Sequence, residues 1–179
     1  MGAKILIVGA GVAGLAAAIF LSRDGHDVTV LERAEEHVAD ETEFGSDKET
    51  DEDHVLGVFA NGLHLLTRVG AQTDNLKPVV VRSSSFYTGT GHLIMREFGV
   101  DSTVSREDKV PTVLATRQNL YKELLRLVKE QKSITIHYNK RVSKIDVAAA
   151  KVNTEDSQTY QGDLLIGESI SRLPTMGAC

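Results

Sequence analysis

The sequence predicts an α/β fold in which a wound, largely parallel sheet is interrupted by an antiparallel insert. Three observations predict it. Short branched apolar runs, Ile5–Val8, Val28–Leu31 and Asp163–Gly167, have the composition of buried parallel strands. Stretches of helical period lie between them, at 15–21, 58–70 and 116–130. Segments of antiparallel type fill the rest, at Val79–Tyr87, His92–Phe98 and from Arg141 to Tyr160. A chain of 179 residues with 41% hydrophobic content suffices for one domain, or one with a partial second, around an ordinary core.

The stretch from Lys4 to Arg33 organises everything after it. The run Ile5–Val8 ends at Gly9, and Gly9, Gly11 and Gly14 stand at G-x-G-x-x-G spacing. Leu15–Leu21 continues at helical period, Gly25 closes the helix, and the next run, Val28–Leu31, finishes on Glu32. In that context each glycine has a physical task. The first lets the chain leave the strand through a tight turn. The second keeps a Cβ away from a pyrophosphate, and the third lets helix and sheet approach closely. Amides at the helix start, on the positive end of its dipole, attract phosphate. Glu32, at the tip of the second strand, falls where a carboxylate accepts hydrogen bonds from both ribose hydroxyls. The stretch is therefore expected to bind a dinucleotide. A leader or membrane anchor is the competing reading of Ile5–Leu21, but that run is at the short limit for a span, and only Lys4 flanks it. Myristoylation wants Ser or Thr where Leu6 stands.

Glu35–Asp53 holds ten acids against Lys48 alone, a net of −9 within a chain of net −5. It reads as an acidic mobile loop over 34–54. A calcium loop would need an ordered set of acids, a central Gly and a final Glu, which this stretch lacks. In Val58–Gly70, Phe59, Leu63, Leu66 and Val69 share a helical face, Asn61 is a candidate cap and Gly70 the stop. Thr88–Gly91 reads as a hairpin turn, because a strand follows it. Thr116–Glu130 is amphipathic through Leu120, Leu124, Leu127 and Val128, with Glu123 and Glu130 on its solvated side. Arg141–Val147, Lys151–Thr154 and Gln158–Tyr160 form a meander.

Other chemistries find little support. The six histidines show no metal spacing, so no metal site is expected. The single cysteine, Cys179, excludes an internal disulfide and fits a reducing, cytoplasmic setting. Ser83–Ser85 and Ser169 lack nucleophile-elbow spacing. No basic stripe points to nucleic acid, and no membrane span is expected.

Together these blocks resemble the aromatic-ring hydroxylase group of FAD-dependent monooxygenases, the salicylate- and p-hydroxybenzoate-hydroxylase-like proteins. GAGVAGLAAAIFLSRDGHDVTVLER is similar to that family's FAD fingerprint, including its Glu-Arg pair. GVFANGLHLLTRVG, TRQNLYKELL and KRVSKID with the later DLLIG resemble its subsequent blocks in the same order. The resemblance implies a Rossmann-like FAD-binding domain of glutathione-reductase type, with a parallel sheet, an antiparallel meander and part of a substrate-domain sheet. It implies that 1–179 is an incomplete FAD-binding domain and 79–115 a partial substrate-domain insert. The cofactor-binding residues it implies are Gly9, Ala10, Gly11, Ala13, Gly14, Glu32, Arg33, Arg117 and Val142. Arg117 would serve the phosphate–ribityl region and Val142 the adenine, through its backbone. Read from the residues alone, Arg117 is a solvated arginine in a helix's first turn.

The departures bear on activity. The family follows DLLIG with Ala-Asp-Gly, whereas Glu168-Ser169-Ile170-Ser171-Arg172 stands here. Its glycine-rich segment after the ribose acid is replaced by the acidic loop, and only Gly57 is retained. The blocks that hold the ribityl chain and cover the flavin ring have no counterpart. The resemblance thus implies a truncated oxidoreductase of monooxygenase type, with FAD as cofactor, NAD(P)H and O₂ as co-substrates, and a small aromatic substrate in the full family. It names no catalytic residue. FAD binding by this chain alone is expected to be weak, and hydroxylation slight or absent. A non-catalytic FAD- or nucleotide-binding or interaction protein on the same fold is the alternative. An NAD-dependent dehydrogenase is a third reading, since Glu32 suits either ribose, but no residue set to handle a hydride-transfer substrate accompanies it.

Overall fold

The structure, a computed structural model, describes residues 2–36, 54–98 and 112–167. The chain divides into two compact units, one made of Met1–Glu49 with Leu124–Cys179 and the other of Thr50–Glu123. The predicted acidic loop from 37 to 53, part of the predicted insert (99–111) and the departure after Gly167 lie outside the described residues.

The first unit is built on four parallel strands. β1 (Lys4–Val8) leads into α1 (Val12–Arg23) and β2 (Asp27–Leu31), the βαβ unit that the apolar runs and glycines predict. β8 (Ile134–His137) pairs with β2, and β12 (Leu164–Gly167) pairs with the other side of β1, giving the order β12-β1-β2-β8. Ile5, Leu6 and Ile7 are buried, as are Val28, Val30 and Leu31. Strands covered on both faces need such unbroken apolar runs. α1 buries Gly14, Leu15, Ala18, Ile19 and Ser22, a stripe at helical spacing. Ser22 Oγ is 2.6 Å from Ser133 Oγ, which ties the helix to the approach of β8. At its end Gly25, at φ 88°, takes the left-handed position that a Cβ would strain. Gly25 N–H then donates to Ser22 O and His26 N–H to Leu21 O, both capping free carbonyls. An antiparallel meander, β9 (Val142–Asp146), β10 (Lys151–Thr154) and β11 (Thr159–Gln161), completes this unit. Its Val152 forms a core with Leu6 and Leu31, flanked by Val8, Val142, Ile145, Tyr160 and Leu165.

The second unit pairs β3 (Val55–Val58) and β4 (Val79–Val80) antiparallel with β7 (Val113–Thr116). The hairpin β5 (Ser83–Tyr87) and β6 (Leu93–Phe98) turns at Thr88–Gly91 as expected. Between these strands lie α2 (Ala60–Arg68) and a 3₁₀ turn, Thr73–Leu76. α3 (Arg117–Lys129) begins in this unit, and the division between units falls inside it. Thr116 caps α3 by accepting from Asn119 N–H at 3.2 Å.

Several expectations need correction here. Val79–Tyr87 is two strands in separate sheets, since Val81 leaves the line and donates its N–H to Thr112 O. Phe59, placed on the buried face of α2, is its N-cap and 69% exposed. Asn61 does not cap the helix; it lies inside it and accepts from Gly62 N–H. Glu123, expected on a solvated face, is buried, and its carboxylate accepts from Gln72 N–H at 2.7 Å and Asn75 Nδ2 at 2.6 Å.

Candidate dinucleotide site

The register of the parallel sheet aligns one residue from each strand at its carboxyl edge. Gly167 pairs with Val8, Val8 with Leu31, and Leu31 with His137. The next residues along β1, β2 and β8, namely Gly9, Glu32 and Tyr138, therefore emerge on one edge. The chain runs from β1 outward through β2 to β8 and returns to the far side of β1 as β12, so the order reverses beside β1. In wound sheets the crevice outside the strand ends at that reversal is where ligands bind.

Gly9 makes the turn out of β1 with φ 108°, a conformation closed to side-chain-bearing residues, and donates its N–H to Leu31 O at 2.9 Å. Gly11 is the N-cap of α1, with no side chain capping the helix. Leu15 N–H is the first in α1 to reach back to a helix carbonyl, Gly11 O at 3.0 Å. The amides of Val12, Ala13 and Gly14 precede it, at the positive end of the dipole. Ala13 is exposed, and Gly14 is buried against the unit's interior.

Glu32 lies directly beside this turn. Its Oε2 accepts from Ala10 N–H at 2.7 Å and its Oε1 from Ala34 N–H at 2.9 Å. Ala10's amide is committed to this carboxylate, and its methyl is buried. A carboxylate has about four acceptor positions. Two are filled by these amides, which leaves one on each oxygen. Arg33 is exposed just beyond.

Val142 opens β9 and rests half-buried on the Leu6, Leu31 and Val152 core beside Val8, so the meander brings it to the strands that carry Gly9 and Glu32. Arg117 belongs to the other unit, exposed at the start of α3, with its N–H on His54 O at 2.8 Å. The structure thus assembles eight of the nine expected residues in one unit. It describes Arg117 separately from them.

Sequence reasoning missed the turn after β8. Glu32 N–H donates to His137 O at 2.9 Å, and Lys140 N–H donates to Glu32 O at 2.8 Å. Tyr138 is half-buried between them. Burial pushes its phenol above the usual range, and the carboxylates of Glu36 and then Glu32 push it further, so it stays protonated. His137 and Tyr160 rings sit 5.3 Å apart, tilted by 49°. Lys140 Nζ reaches Asp156, which also accepts from Thr154 Oγ1. An asparagine just past a strand, as Asn139 is two residues after β8, was the available signal of a tight turn. Among the described residues no cluster of His, Cys, Asp or Glu could hold a metal, and no helix is long and apolar enough to cross a membrane.

Comparison with known proteins bears on this geometry. Residues 4–48 match the DAO family of FAD dependent oxidoreductases. Hispidin-3-hydroxylase of Neonothopanus nambi is 29% identical over 177 residues, a match covering 92% of this chain and 36% of that protein. Kynurenine 3-monooxygenase of Myxococcus xanthus is 25% identical over 156 residues, covering 87% and 31%. In sequence the chain is thus similar to FAD-dependent oxidoreductases and monooxygenases. Its fold agrees. The tetrameric form of 2-methyl-3-hydroxypyridine-5-carboxylic acid oxygenase superposes with a TM-score of 0.67 at 21% identity, over 92% of this chain and 38% of that one. The chain spans about a third of the length of the curated relatives it matches.

Proposed function

We propose that this chain binds FAD through its first βαβ unit and contributes that grip to an oxidoreductase of monooxygenase type. The activity of the relatives' kind is an NAD(P)H- and O₂-dependent hydroxylation of a small, aromatic substrate. The observation that carries the reading is the Glu32 carboxylate, fixed 2.7 Å from Ala10 N–H beside a glycine turn that opens α1.

The residues present fit the adenosine and pyrophosphate end of FAD. Gly9 and Gly11 leave the turn without side chains, so a pyrophosphate can approach the amides of Val12 and Ala13. The remaining acceptor position on each Glu32 oxygen suits a pair of vicinal ribose hydroxyls. A 2′-phosphate at that point would meet like charge. Arg33 would stand at the rim of the ribose, and the Val142 backbone would meet the adenine. Arg117 is assigned to the phosphate–ribityl region by the resemblance alone. Bound FAD would supply electron transfer from NAD(P)H and oxygen transfer to the substrate. What this chain's own groups do is bind, orient and neutralise the nucleotide half. No residue here is assigned to the reacting atoms. The domain reading, with an incomplete FAD-binding domain and a partial substrate-domain insert at 79–115, belongs to the same proposal, as does a cytoplasmic setting.

Titration of the purified chain with FAD, followed by flavin fluorescence, tests this. Uptake is expected, with Glu32→Ala weakening it roughly 10- to 150-fold, the value of one charged hydrogen bond at about 1.5–3 kcal/mol. A folded protein that takes up no FAD would favour the non-catalytic alternative. Uptake of NAD in preference to FAD would favour a dehydrogenase.

A further inference from the structure

Glu32 is held through its main chain as well as its carboxylate, and one short turn supplies that hold. The turn joins the end of β8 to the start of β9. His137 O accepts from Glu32 N–H at 2.9 Å, and Lys140 N–H donates to Glu32 O at 2.8 Å, so the turn brackets this residue from both sides. Asn139 N–H donates to Ala34 O at 3.0 Å, and Ala34 N–H in turn donates to Glu32 Oε1 at 2.9 Å. The segment from His137 to Lys140 can make these three main-chain bonds only by reversing sharply. Asn139 makes the reversal, at φ 57° in the left-handed region. Asparagine enters that region more readily than other side-chain-bearing residues, glycine enters it freely, and β-branched residues resist it.

We infer that Asn139 is a positioning residue for the ribose of the bound nucleotide: its left-handed turn sets the backbone of Glu32, and through it the distance of the carboxylate from Ala10 N–H. The inference rests on the FAD reading above. A turn forced out of this conformation loses the bracket, and Glu32 then presents its oxygens at a different place from the one the α1 turn defines. The loss falls on the ribose hydroxyls and leaves the pyrophosphate contacts intact.

The experiment compares the binding of ADP and of 2′,3′-dideoxy-ADP to the full chain by calorimetry. Wild type is expected to prefer ADP about tenfold or more. Asn139→Val should reduce that preference to within about threefold, and Asn139→Gly, which reaches the same φ without strain, should keep it. A purely structural role would weaken both ligands alike and leave the ratio unmoved. If Asn139→Val does not fold, the milder Asn139→Ala decides, with an intermediate ratio expected. A folded Asn139→Val or Asn139→Ala with the wild-type ratio overturns the inference and leaves the FAD reading standing. So does loss of the preference in Asn139→Gly, which would assign the effect to the amide side chain. Wild type that binds neither ligand, or both equally, overturns the FAD reading itself and the inference with it.

Discussion

The parallel sheet and the β5–β6 ribbon are made of similar residues and treat them in opposite ways. In the sheet Ile7 is 0% exposed, between Val30 on one side and Ile166 on the other. In the ribbon Ile94 is 66% exposed, and Phe86, Tyr87, Leu93 and Met95 are each about half exposed. Equal hydrophobicity therefore does not mean equal contribution: burial decides it, at roughly 25 cal/mol per Å² of apolar surface removed from water. A ribbon of exposed aromatic and branched residues is the kind of surface that associates.

The largest effect should come from breaking the contrast at its two ends. Ile7→Ala is expected to destabilise by about 2–5 kcal/mol, because the strand is covered on both faces and cannot collapse around the cavity. Ile94→Thr keeps a β-branched residue and should change stability by no more than about 0.5 kcal/mol. Denaturant unfolding of both variants checks this. A cost for Ile94→Thr comparable with that of Ile7→Ala would mean the ribbon is covered in solution.

A middle-sized effect should come from Glu123, the buried carboxylate of the second unit. Its oxygens serve Gln72 N–H and Asn75 Nδ2, and removing them leaves donors to find new partners. Glu123→Ala is expected to cost about 1–3 kcal/mol. Glu130, two turns further on and just past the end of α3, exposed in an ion pair with Arg126 at 2.5 Å, should cost less than about 1 kcal/mol when replaced by Ala. Equal losses in thermal melts would show that Glu123 is as solvated as its spacing suggested.

That pair also shows where the sequence was legible and where it was not. β1, α1 and β2 could be read because their determinants are local: apolar runs, glycine spacing and a closing glycine all lie between Lys4 and Glu32. Glu32 could be placed because its position follows from strand length. Glu123 could not, because its partners Gln72 and Asn75 lie far back in the chain, on a turn whose approach no helical wheel records. β3 and β7 were missed for a related reason. Each is very short, and each exists through pairing with the other across the intervening chain. The bracket around Glu32 was hidden likewise, since His137 and Lys140 meet it from the far end of the sequence, though Asn139 carried a local sign of the turn.

The smallest expected effect sits in the better-covered unit, on the link between that turn and the meander. Lys140 Nζ bonds Asp156, and this bond, with the one from Thr154, holds the Asp156 carboxyl below its ordinary range. The same bond raises Lys140 above its ordinary range. A depressed carboxyl contributes stability above its unfolded pKa and loses it as pH falls through the lower folded value, so the Asp156 share should vanish in acid. A raised lysine contributes below its unfolded pKa and loses that share as pH rises through the higher folded value, in strong alkali. Between these limits the contribution is flat. Asp156→Asn should therefore be slightly less stable than wild type at neutral pH and equal to it in acid, with salt narrowing the difference because Asp156 is solvent-exposed. A gap that widens on acidification would mean that folding raises the Asp156 carboxyl instead of lowering it, and that its bond to Lys140 does not hold the carboxylate in its charged form.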